Sequence, residues 1–124
     1  LIPTRFIMAA SSICLAVAGL ALLFAPAESL GLAGFPDSNP LTGQLLSATY
    51  LGGAAANWMA RGVKIGGIYA RPLAIANYIH FLVGSIVLAV GAAKGGLSFG
   101  LMAVLFAYAV FGALFALLVF GVRQ

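Results

Sequence analysis

The stretch "FGLMAVLFAYAVFGALFALLVFG", residues 99 to 121, contains no charged side chain and no proline. A helix rises about 1.5 Å per residue, so this run crosses a hydrocarbon core about 30 Å thick. Its apolar character is continuous, without the roughly ten-residue dyad alternation of a membrane barrel strand. Three further runs of the same kind lie upstream, at about 4–25, 41–60 and 73–93. Pro26, Pro36, Pro40 and Pro72 all fall at the ends of these runs, where proline is tolerated. Charged residues make up 6% of the chain and hydrophobic residues 64%, with a mean hydropathy of +1.17. A soluble domain needs about 25% charged residues to wet its surface. The expected fold is therefore an all-α integral membrane protein: one domain over residues 1 to 124, an antiparallel bundle of four transmembrane helices.

The placement of charge sets the expected orientation. Arg5 opens the first run, Arg61, Lys64 and Arg71 lie between the second and third, and Arg123 follows the fourth. Lys94 stands alone on the other side, the side that also holds Glu28 and Asp37. The positive-inside rule then predicts both termini on the cytoplasmic side. The net charge of +4 reflects this topology and contact with anionic lipid, and no nucleic-acid partner is expected. Residues 25 to 27 read "APA", which resembles a signal-peptidase site. The preceding apolar run is longer than a usual signal core, so it is read as a retained first span. The single cysteine, Cys14, lies in that span and is expected to be a small packing residue.

"KGGLS", residues 94 to 98, predicts a tight turn that makes the last two spans antiparallel neighbours. "PAESLGLAGFPDSNP", residues 26 to 40, reads as the longest loop, with Leu30, Leu32 and Phe35 resting at the membrane surface. Ala48, Gly52, Ala56 and Ala60 form a small-residue ridge expected to serve packing within the bundle. Phe106, Phe111, Phe115 and Phe120 are expected to face lipid or a partner, and Trp58, Tyr69 and Tyr78 to anchor the interfaces.

The few polar residues carry whatever chemistry there is. In the second span Gln44, Ser47, Tyr50 or Leu51, Ala54, Asn57 and Arg61 step by three or four, so most share a face. In the third, Asn77, His80, Gly84 and Gly91 do the same. Counting helix rise from the cytoplasmic ends puts Asn57 and Asn77 at one level, with His80 deeper, opposite Gly53 and Ala54. Ser11 and Ser12 of the first span reach that depth, as do Phe111 and Gly112 of the fourth. The candidate pocket is thus His80, Asn77, Asn57, Ser11, Ser12 and Tyr50, with Arg61 at its mouth. Two uses are open: binding a quinone, lipid or other polar-headed molecule, or a hydrogen-bonded clasp between helices.

One histidine cannot supply both axial ligands of a b-type haem. No cluster of His, Cys and carboxylate exists for a metal, and no carboxylate lies within a span to couple protons. Glu28 and Asp37 are on the far side from His80, so no nucleophile–base–orienter triad can be assembled. Catalysis is poorly supported and no intrinsic cofactor is expected.

Arg5 at the start of the first span, the loop "GLAGFPDSNP", the glycine-rich "YLGGAAANW" and Arg61 after it resemble the DoxX-like group of small bacterial four-helix membrane proteins. The resemblance covers the first half of the chain. It implies a four-helix bundle and, in some members, association with quinone-linked redox complexes. The acidic residue that many such proteins carry in the second span is missing here, where only Tyr50 and Asn57 stand. The expected role is a non-catalytic accessory or scaffold subunit in a bacterial inner membrane. It would be surrounded by lipid and pack against other membrane subunits or copies of itself. The alternative is a binder or carrier of a quinone or lipid around Asn57, Asn77 and His80.

Overall fold

A computed structural model describes residues 3–62 and 70–121; Lys64, Tyr69 and Arg123, used above for orientation and anchoring, lie outside the described residues. Five helices follow in order: α1 (Thr4–Phe24), α2 (Pro26–Leu32), α3 (Pro40–Met59), α4 (Ala70–Ala93) and α5 (Phe99–Phe120). There is no strand among the described residues. Helices α1, α4 and α5 are long and apolar enough to cross a membrane. Helix α3 has 20 residues, a comparable length, but Gln44, Ser47, Thr49 and Asn57 make it less apolar.

Segment 26 to 40 departs from its reading as a loop. Pro26 has no N–H to continue α1, so the chain breaks at Ala25 (φ −134°, ψ 59°) and restarts with proline in the first helical turn. Ser29 Oγ donates to the carbonyl of Ala21 at 3.0 Å, which also accepts the Ala25 N–H at 2.8 Å, so α2 is tied back onto the last turn of α1. Helix α2 ends in a Schellman motif. Gly34 is left-handed at φ 95°, its N–H meets Gly31 O at 3.0 Å, and the Phe35 N–H meets Leu30 O at 2.8 Å. Leu30 is consequently buried, while Leu32 and Phe35 are exposed. Asn39 then caps α3 through Oδ1, which accepts from the Leu41 N–H at 2.9 Å.

The turn after α4 uses the same device. Gly95 is left-handed at φ 74°, with Gly95 N–H to Ala92 O at 2.9 Å and Gly96 N–H to Gly91 O at 3.0 Å. Ser98 caps α5 by accepting from the Leu101 N–H at 3.2 Å, and its hydroxyl donates to Ala33 O at 2.9 Å. This single serine ties the α4–α5 turn to the end of α2.

The helices pack as two close antiparallel pairs, α1 with α3 and α4 with α5. Along the first pair Ser11 meets Asn57, Leu15 meets Gly53 and Gly19 meets Leu51; along the second Phe81 meets Gly112 and Tyr78 meets Phe120. The backbones of α3 and α4 stay apart, and only side chains bridge them. The apolar core lies where the pairs meet. Phe81 stacks on Phe115 with ring centroids 5.8 Å apart, and Phe111 tilts against it at 5.3 Å.

Three packing expectations are corrected. Phe111 and Phe115 are core residues, because they lie on the α5 face that carries Tyr108 and Leu118; only Phe106 and Phe120 face outward. The ridge on α3 serves the bundle only in part: Ala48 and Gly52 are exposed, with open space over Gly52, whereas Ala56 is half-buried and Ala60 packs against the core. The α3 face that packs against α1 is offset from the ridge and carries Gly43, Ser47, Ala54 and Asn57. Cys14 is exposed, since Ser11, Ser12 and Leu15 take the packed face of α1.

Candidate functional site

The depth count brings Asn57 and Asn77 together, and their geometry decides what they do. Asn57 Nδ2 donates to Asn77 Oδ1 at 2.8 Å, and Asn77 Nδ2 donates back to Asn57 Oδ1 at 2.7 Å. The second N–H of Asn57 goes to Ser11 Oγ at 3.0 Å, and that of Asn77 to Leu73 O at 3.0 Å. An asparagine amide has two N–H donors, so all four are engaged. Ser11 donates to Met8 O at 2.9 Å, and Ser12 to Ala54 O at 2.7 Å. All four side chains are buried, and no buried side-chain polar atom among the described residues lacks a partner. This layer is a closed clasp joining α1, α3 and α4.

His80 is not part of it. Its Nε2 lies 2.9 Å from the Tyr108 hydroxyl, which lies 2.9 Å from the Tyr50 hydroxyl. Three helices therefore contribute one group each to a chain Tyr50–Tyr108–His80. Gly53 borders the same hollow as His80, but Ala54 faces α1 instead. Gly84 permits the arrangement: a Cβ there would overlap the Tyr108 ring. The His80 ring also stands edge-on to Phe81 at 4.8 Å and to Tyr50 at 6.0 Å.

The chain holds its protons in one of two senses. In one, Tyr50 donates to Tyr108, Tyr108 donates to Nε2, and His80 presents Nδ1–H. In the other, Nε2–H donates to Tyr108, Tyr108 donates to Tyr50, and the Tyr50 O–H is free. Either way one donor is left over, at one end of the chain or the other.

Hollow space gathers around these three residues. A cavity of about 360 Å³ is bordered by Tyr50 and Tyr108 and walled by apolar side chains such as Leu22, Leu30, Phe81 and Phe111, with Cys14 on its lining. A groove of about 520 Å³ runs past Tyr50, His80 and Tyr108 along Val83 and Val87. The hollow beside the asparagine clasp is smaller, about 190 Å³. Sites for organic ligands run from roughly 300 to 1,000 Å³, so room for one lies on the tyrosine side.

Arg61 stands apart from both groups. Its guanidinium stacks 3.8 Å from the Trp58 ring centroid and donates to Trp58 O at 2.6 Å. It borders a hollow with Arg5, Met59 and Gly62, and not the mouth of the polar layer where it was expected. The bond to its own helix end turns it outward.

Tyr108 was missed by sequence reasoning. The available signal was that it is the only hydroxyl within residues 99 to 121. The level count put Phe111 and Gly112 opposite His80, one helical turn away from the true neighbour.

Fold and site define an all-helical, multi-pass membrane protein with a saturated polar clasp and a second, unsaturated hydrogen-bonded chain bordering apolar space. No family model, curated protein or solved structure matches the chain.

Proposed function

We propose that this chain is a four-span membrane protein that binds a hydrophobic small molecule with a carbonyl or hydroxyl head, of the quinone or lipid class. The single observation carrying the reading is the Tyr50–Tyr108–His80 chain, which borders the two largest apolar hollows around it and keeps a donor to spare. A membrane interior offers such groups no water, so an unspent donor there costs energy until a ligand acceptor meets it. The resemblance to DoxX-like proteins points the same way. Helix α3 serves as the fourth span, with Asn57 turned onto α1 and α4 and the Ser47 and Thr49 hydroxyls bonded to carbonyls of α3 itself, and both termini lie on the cytoplasmic side of a bacterial inner membrane.

Cys14 supplies the test, because it is the only cysteine and lines the cavity of about 360 Å³. Its labelling by a membrane-permeant maleimide is followed in detergent while a short-tailed quinone is titrated in. Saturable protection that Tyr108→Phe weakens supports the reading. Labelling indifferent to the quinone and to extracted native lipid refutes it.

A second reading, an accessory subunit, draws on the outward-facing ridge of Ala48 and Gly52, which the fold leaves unfilled. Gly52→Leu would then abolish co-purification of a membrane partner or a second copy while leaving the monomer folded.

A further inference from the structure

Arg5 opens α1 and Arg61 follows α3; because these helices run antiparallel, the two residues reach the same end of the bundle. There they line one hollow of about 380 Å³ together with Met59 and Gly62, and among the described residues no acidic one borders it. Glu28 and Asp37 lie beyond the other end of α1, about 30 Å away at about 1.5 Å per helical residue. Two arginines bordering one concavity, with no acidic side chain there among the described residues, leave positive charge for an anion to balance. Arg61 is already held by the Trp58 ring and carbonyl, so it loses little freedom on binding.

We propose that Arg5 and Arg61 form a site for a phosphate-bearing anion, and that its source is the head group of an anionic membrane lipid. The fork geometry of arginine matches phosphate oxygens. The surroundings select the lipid over free phosphate. Met59 is 80% exposed, Phe6 beside Arg5 is 68% exposed, and Trp58 is 45% exposed, giving apolar surface for acyl chains next to the charges. This site is separate from the Tyr50–Tyr108–His80 chain and stands or falls independently of it.

Trp58 is the chain's only tryptophan and lies under Arg61, so its emission reports the site directly. The full chain in a mild neutral detergent is titrated with short-chain phosphatidylglycerol, with phosphatidylcholine of the same chains, and with inorganic phosphate. The expected result is a saturable emission change with phosphatidylglycerol alone. Arg5→Gln, which leaves the Trp58–Arg61 contact in place, should weaken the binding about ten-fold. Lys94→Gln, at the opposite end, should leave it unchanged. A response to inorganic phosphate that matches phosphatidylglycerol overturns the lipid assignment. Equal responses to both lipids, or no effect of Arg5→Gln, overturn the site.

Discussion

The side-chain amides of Asn57 and Asn77 bond each other twice, at 2.8 and 2.7 Å, across a gap that the backbones of α3 and α4 do not close. Lipid tails are as apolar as leucine, so helices in a membrane gain little from hydrophobic contact alone and depend on packing and bonds of this kind. The first prediction is that Asn77→Ala strands the Asn57 amide, costing about 1–3 kcal/mol. Asn57→Leu with Asn77→Leu, which leaves no unpaired amide, should cost less than the two single changes summed, by about 0.6–2 kcal/mol. Unfolding in mild detergent, measured for the full double-mutant cycle, checks this. Strict additivity would mean the pair is not coupled.

Legibility followed the kind of information each feature needs. Apolar length is local, and the observed helices begin and end within a few residues of the expected runs: Thr4–Phe24, Pro40–Met59, Ala70–Ala93 and Phe99–Phe120. Depth is nearly local, since it needs only helix rise, and it put Asn57 level with Asn77. Rotation about a helix axis is not local. A helix apolar all round, such as α5, carries no periodicity to show which side is buried, so Phe111 and Phe115 could not be told from Phe106 and Phe120. Tyr108 was lost for the same reason. The short helix α2 was hidden because proline reads as a breaker, although at a first turn it is a starter.

The aromatic stack yields the second prediction. Phe115 is fully buried against Phe81, while Phe106 is 72% exposed. Phe115→Ala leaves a void in the seam between the helix pairs and should lower stability by about 3 kcal/mol. Phe106→Ala, on the outward face, should stay within about 0.5 kcal/mol. Thermal unfolding of the two variants in one detergent compares them directly.

Glycines give a third contrast. A Cβ at Gly100 would sit 2.6 Å from the Leu32 carbonyl oxygen, a backbone atom that cannot rotate aside, whereas a Cβ at Gly52 meets nothing within 4 Å. Gly100→Ala should therefore push α5 off the end of α2 and cost about 1–3 kcal/mol. Gly52→Ala should be neutral or stabilising by up to about 1 kcal/mol, since alanine is the better helix former. If both variants unfold alike, the α2–α5 contact is not as close as described.

The last prediction separates the two polar groups. Gly84 lies under the Tyr108 ring and borders the groove of about 520 Å³ beside it, while a Cβ there would meet only Tyr108 and nothing of the asparagine clasp. Gly84→Ala forces the ring away, so the Tyr108 hydroxyl leaves His80 Nε2, now 2.9 Å distant, while Asn57 and Asn77 are undisturbed. Quinone protection of Cys14 should then weaken about ten-fold, close to the loss of one hydrogen bond of about 1.4 kcal/mol. Tyr108→Phe should weaken it at least as much, because it removes the central link of the chain. His80→Phe cuts only one end, so Tyr50 and Tyr108 remain bonded to each other and a partial loss is expected. Ranking the three variants by quinone affinity, with unfolding measured alongside, shows whether the chain acts as a unit. Affinity unchanged from the unsubstituted chain in all three would assign these residues to packing alone.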